Sequence, residues 1–83
     1  MKTIVIKVTK NDIAKGKRRE ATSCPIALAL HRAGFQEAEV GFLYWFPDSS
    51  WRGIKLSEAA IRFIRAFDDK EAVKPFNFRL KVP

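Results

Sequence analysis

Cysteine and histidine are nearly absent: Cys24 and His31 are the single examples of each in 83 residues. One cysteine excludes an intramolecular disulfide. With no CxxC and no His/Cys grouping, there is also no ligand set for a structural metal. Long apolar runs are missing too. Nothing approaches 18 consecutive apolar residues, so no membrane-spanning segment is expected. The opening Met1-Lys2-Thr3-Ile4-Val5-Ile6-Lys7-Val8 is interrupted by Lys7 where a signal peptide needs an apolar core. A small domain without a covalent or metal staple fits a reducing interior, so a cytoplasmic location is expected. Acidic residues are also scarce. Nine of them face sixteen lysines and arginines, a net charge of +7. That excess attracts polyanions and acidic surfaces, so nucleic acid, a nucleotide or an acidic protein is the expected class of partner.

Apolar residues make up 47% of the chain and aromatics 12%, enough for a thin core and too much for disorder. The length suits one domain spanning 1–83, of which roughly 60% of the unfolded surface becomes buried.

The pattern along the chain predicts an α+β domain. Ile4, Ile6 and Val8 alternate with Val5 and Lys7, as in a half-buried strand. Residues 11–15 fit one helical turn, broken at Gly16. Thr22 or Ser23 is placed to cap a helix over 25–33 with Pro25 in its first turn, and Gly34 suits the left-handed position after it, with Phe35 packing back. The aromatic run from Val40 to Phe46 reads as one strand. Pro47-Asp48-Ser49-Ser50 is a turn, and Trp51–Leu56 a second strand of a hairpin. Ser57 caps a helix over 58–68 whose stripe is Ala60, Ile61, Ile64 and Phe67, with Phe63 at its edge. Glu58 and Arg62 stand four apart in the favourable order. After Pro75, the residues Phe76, Phe78, Leu80 and Val82 alternate with Asn77, Arg79 and Lys81. The expected order is β-α-β-β-α-β, a four-stranded antiparallel sheet with two helices on one face in ferredoxin-like topology.

Two helices cover one face of such a sheet, so the other is open. Alternation places Val5, Lys7, Lys55, Arg79 and Lys81 there, with Trp51 sharing the parity of Lys55. Either Leu43 and Trp45, or Phe42, Tyr44 and Phe46, join them. Cations interleaved with Trp45 and Trp51 suit a nucleic-acid platform, with rings stacking on bases and charges on phosphates. The RNP1 pattern of RRM domains is absent from 51–56. The same aromatics equally suit an interface between copies of the chain, a homo-oligomer. A second cationic group, Lys17, Arg18 and Arg19, precedes the 25–33 helix in a loop that also holds Lys15 and Gly16, and could receive phosphate or carboxylate. GxxxxGK[ST] is not present.

No catalytic residues are expected. Cys24 at a helix start beside cations is the best candidate nucleophile. His31 lies two turns on, roughly 10 Å along the axis, beyond the contact a Cys–His pair needs. Cys24 is therefore expected to be a small core residue, and no cofactor or metal is expected.

The run Cys24-Pro25-Ile26-Ala27-Leu28-Ala29-Leu30 is a compact signature. With Asp12-Ile13, Phe63-Ile64-Arg65-Ala66-Phe67-Asp68 and Pro75-Phe76-Asn77-Phe78, the chain resembles a group of short uncharacterised proteins encoded by bacteriophages. The resemblance covers nearly the whole chain and lends no site residues. It implies an accessory protein acting in the host cytoplasm on a nucleic-acid system, or an inhibitor of host defence of the anti-CRISPR kind.

Overall fold

The computed structural model describes residues 2–50 and 52–83. Its elements in chain order are β1 (Lys2–Val8), α1 (Lys10–Lys15), α2 (Pro25–Arg32), β2 (Glu39–Val40), β3 (Tyr44–Phe46), β4 (Ile54–Lys55), α3 (Glu58–Asp68) and β5 (Phe76–Val82). The α+β class is as expected. The sheet is not one piece among these residues. β1 and β5 form a two-stranded antiparallel ribbon, while β2, β3 and β4 form a three-stranded antiparallel sheet in that order. Both are held over one core that includes Ile6, Val8, Ile26, Leu30, Trp45 and Leu80.

The ribbon joins the two segments whose alternation is cleanest. Its register pairs Lys2 with Val82 at one end and Val8 with Phe76 at the other. Ile6, Val8, Phe78, Leu80 and Val82 turn inward and are buried. Phe76 is half-buried and stacks on Phe63 of α3, 4.8 Å between centroids, and on Phe78 at 5.5 Å. That aromatic row fastens α3 to β5.

The run 40–46 is not a single strand. It folds as a hairpin, because Gly41 N–H donates to the Tyr44 carbonyl at 2.8 Å and closes a turn over Phe42 and Leu43. β-forming side chains concealed this turn, and Gly41 was its one visible signal. Only Ile54–Lys55 of the expected 51–56 strand is paired, and Trp51 lies outside the described residues.

The helix ends show why each helix stops where it does. α1 opens with a capping box: the Thr9 hydroxyl accepts from Asp12 N, and the Asp12 carboxylate accepts from Thr9 N. α2 is capped neither by Thr22 nor by Ser23 but by Cys24, whose Sγ accepts from Ala27 N at 3.4 Å. At its other end Gly34 takes φ 113°, and Phe35 N and Gly34 N bond back to the carbonyls of Leu30 and His31. This is the Schellman geometry that glycine permits. α3 starts at the expected Ser57 and ends in the same motif. Here, however, Lys70 occupies the left-handed position, with φ 63°. Within α3, Phe63 is buried and Ile61 only partly so, the reverse of the expected stripe, because Phe63 reaches the Phe76 ring.

Candidate nucleic-acid interface

Strand alternation and register bring three expected residues into one row. On the outward face of the ribbon, Thr3 pairs with Lys81, Val5 with Arg79 and Lys7 with Asn77. All six are exposed and none is acidic. Among the described residues the ion pairs are Asp12–Arg32 and Glu58–Arg62, so Lys7, Arg79 and Lys81 are left without a carboxylate partner. Val5, at the centre of the row, is 64% exposed. At the β1 C-terminal end a shallow open groove of about 440 Å³ is lined by Lys7, Thr9, Lys10 and Asn77, among others. Lys10, which plain alternation did not single out, thereby joins Lys7. Its signal was the capped turn at Thr9, which brings α1 directly after β1.

Lys55 is also exposed, but it belongs to the other sheet, where it pairs with Tyr44. The aromatic half of the expected platform needs correction. Trp45 is fully buried, and its Nε1–H donates to the Lys81 carbonyl at 3.1 Å. Phe35 meets it edge-on, 5.2 Å between centroids. Trp45 therefore cannot stack on a base. Of the two alternatives for this strand, Tyr44 is the outward one, with Phe46 half-buried beside Gly53. Phe42, Leu43 and Tyr44 are the exposed large apolar residues of the hairpin. Trp51, the other aromatic expected here, lies outside the described residues.

The basic loop is divided among different tasks. Arg18 Nε donates to the Phe67 carbonyl at 3.1 Å, and its guanidinium lies over the Phe67 ring, 5.6 Å from the centroid. It thus caps the C-terminus of α3, where a cation is favourable. Arg19 has φ 59°, and its backbone N–H donates to Asp68 Oδ1 at 3.0 Å. Lys17 is exposed. The loop is accordingly a clasp between the start of α2 and the end of α3, distinct from the ribbon row. A cleft of about 300 Å³ opens beside it, with Cys24, Val40, Phe42 and Ile64 as apolar lining and Arg19 and Asp68 as polar lining.

The shorter of the two ion pairs among the described residues lies elsewhere. Arg32 grips Asp12 with both arms, 2.6 Å from NH1 to Oδ1 and 2.9 Å from NH2 to Oδ2, and also donates to the Lys7 carbonyl at 2.8 Å. Burial pushes the Asp12 carboxyl up, but Arg32 and the Thr9 backbone and hydroxyl outweigh it and hold the pKa below its ordinary value. Burial raises the Cys24 thiol above its ordinary range, against backbone donors that pull it down. His31 Nε2 donates to the Ala38 carbonyl at 3.0 Å and is so tied to the backbone. Among the described residues no group of three or more His, Cys, Asp or Glu side chains could hold a metal, and no helix is long and apolar enough to cross a membrane.

Comparison with known protein families, with curated proteins and with solved structures finds no match to this chain.

Proposed function

We propose that the protein is a small non-enzymatic accessory protein of a phage, and that it binds an anionic partner, nucleic acid foremost, through the outward face of the ribbon. One observation carries this: Lys7, Arg79 and Lys81 stand in an exposed row that contains no acid and no ion-pair partner. Lysines and arginines left unpaired on one face concentrate positive potential there instead of cancelling it. Lys17 and Lys55 add to the field without belonging to the row. Cytoplasmic action follows from the same reading.

The test is direct titration of the purified protein with duplex DNA, single-stranded DNA and mononucleotides. If about five phosphates are neutralised, a fourfold rise in salt weakens binding on the order of 10²- to 10³-fold. Arg79→Glu with Lys81→Glu abolishes binding while leaving the melting temperature near that of the parent. Binding that ignores both salt and charge reversal removes this function.

A second reading is favoured by the exposed Phe42, Leu43 and Tyr44 beside the apolar cleft. In it the hairpin docks on a host protein as an inhibitor, or on another copy of the chain. Pulldown from a host lysate with and without nuclease separates the two. A nuclease-resistant single host protein, lost in Phe42→Ser, supports the hairpin reading, and nuclease-sensitive capture supports the ribbon.

A further inference from the structure

We infer that the β1–β5 ribbon enters the major groove of B-form DNA, with Arg79 and Val5 facing base pairs and with Lys81 at one end and Lys7 and Lys10 at the other holding phosphates. This rests on the anionic-partner function above and narrows it to one ligand.

Three properties of the face select a duplex. The first is the lack of stacking rings on this face among the described residues. Single strands are held largely by bases stacked on aromatic side chains. Phe76, Phe78 and Trp45 all turn away from the ribbon's outer face, and the exposed Phe42 and Tyr44 belong to the hairpin. The second is size. The ladder from Lys2–Val82 to Val8–Phe76 comprises seven paired positions, so its length is about 20 Å at roughly 3.4 Å per residue. That length matches about six base pairs, and a two-stranded ribbon fits a major groove about 12 Å wide. The right-handed twist of a two-stranded ribbon lets it follow the groove. The major groove of an RNA duplex is too deep and narrow to be read this way.

The third property is the order of side chains along the row. Cations stand at both ends, where phosphates flank a groove, and the centre is the Val5–Arg79 pair. Arginine donates two parallel hydrogen bonds to guanine, and an apolar side chain contacts the thymine methyl. Val5, at 64% exposure, is an apolar side chain open to a partner in the middle of a charged row. At the far end the Lys7, Thr9, Lys10 and Asn77 groove gathers two cations and two hydrogen-bonding side chains at one spot, a seat for a backbone phosphate.

The experiment compares a DNA duplex pool of about 20 randomised base pairs with single-stranded DNA and duplex RNA of equal length, since a dozen flanking pairs clear a six-pair footprint. Fluorescence anisotropy gives affinity and salt slope, and selection from the pool gives sequence preference. The expected result is duplex DNA bound at least tenfold tighter than either competitor. Lys7→Gln, Lys10→Gln and Lys81→Gln should each lower affinity across all sequences and reduce the salt slope by about 0.9. Arg79→Ala should instead flatten the preference at one base pair, on the order of 10- to 100-fold, with the slope nearly kept. Thermal melts check that each variant stays folded. Equal or tighter binding of single strands, or loss of binding in Tyr44→Ala but not in Arg79→Ala, overturns the groove assignment while leaving the anionic function standing. Failure to bind any polyanion overturns both.

Discussion

The indole N–H of Trp45 donates to the backbone carbonyl of Lys81 across 3.1 Å, joining the three-stranded sheet to the ribbon by a buried side chain. The same residue, Lys81, turns its charged side chain to the outside. Support for the ribbon from beneath and its exposed row therefore meet at one position.

Trp45→Phe keeps most of the apolar volume and removes that donor. The expected cost is about 2–3 kcal/mol, from a small cavity and a carbonyl left short of a partner. Urea denaturation measures it. A loss well below 1 kcal/mol would mean that the two sheets hold together without this contact.

Asp12 is the buried carboxylate among the described residues, and its pKa lies below the ordinary 3.8. A depressed folded-state value makes the folded form the weaker proton binder. The stabilisation is therefore complete above the ordinary carboxylate range and is lost as pH falls through it to the lower folded value. Asp12→Ala should cost about 2–3 kcal/mol at neutral pH, because the carboxylate's half of the capping box and the Arg32 bridge both go, while half-exposed Arg32 regains water. In that variant the loss of stability on acidification should shrink correspondingly. An unchanged acid limb in a pH series of melts would remove Asp12 as its source.

Lys70 holds a left-handed conformation at φ 63°, where side chains with a Cβ are strained. Lys70→Gly is expected to raise stability by roughly 0.5–1 kcal/mol, the left-handed penalty less the extra freedom of an unfolded glycine. Gly34→Ala, at φ 113°, should do the opposite in the equivalent place after α2. Paired melting curves decide, and a destabilised Lys70→Gly would show that the lysine side chain has a role of its own.

Cys24 is 7% exposed, its Sγ caps α2, and burial raises its pKa. The thiol is therefore protonated at neutral pH and should react with iodoacetamide no faster than the protein opens. Denaturant should release the reaction. Fast alkylation under native conditions would restore the case for a reactive cysteine. Cys24→Ser, which keeps a cap acceptor, should leave polyanion binding intact.

What could be read from residues alone was what repeats locally. The two alternating segments, the Ser57 cap and the Gly34 stop are present as expected, because each is decided by a few adjacent side chains. Three kinds of feature escaped. The turn at Gly41 sits inside a run of β-formers whose period gives no break. The Asp12–Arg32 bridge joins residues twenty apart, and no local spacing announces such a pair. The division into two sheets depends on which strands find each other, information that alternation does not contain. For the candidate site, Lys7, Arg79 and Lys81 were legible through parity. Trp45 was misplaced because parity on 40–46 was itself undecided, and the bond from Arg18 to the Phe67 carbonyl was hidden because the two residues lie forty-nine apart.

Pairing of β1 with β5 has a consequence in time. The strand bearing Arg79 and Lys81 is translated well after its partner bearing Lys7. Contacts of such long sequence separation form slowly, after loop closure over the intervening chain. During synthesis β1 must wait for its partner, and the basic row does not exist until β5 has left the ribosome. Nascent chains that stop short of β5 should accordingly show no affinity for polyanions beyond that of a disordered basic peptide, and the surface should appear only once β5 pairs with β1.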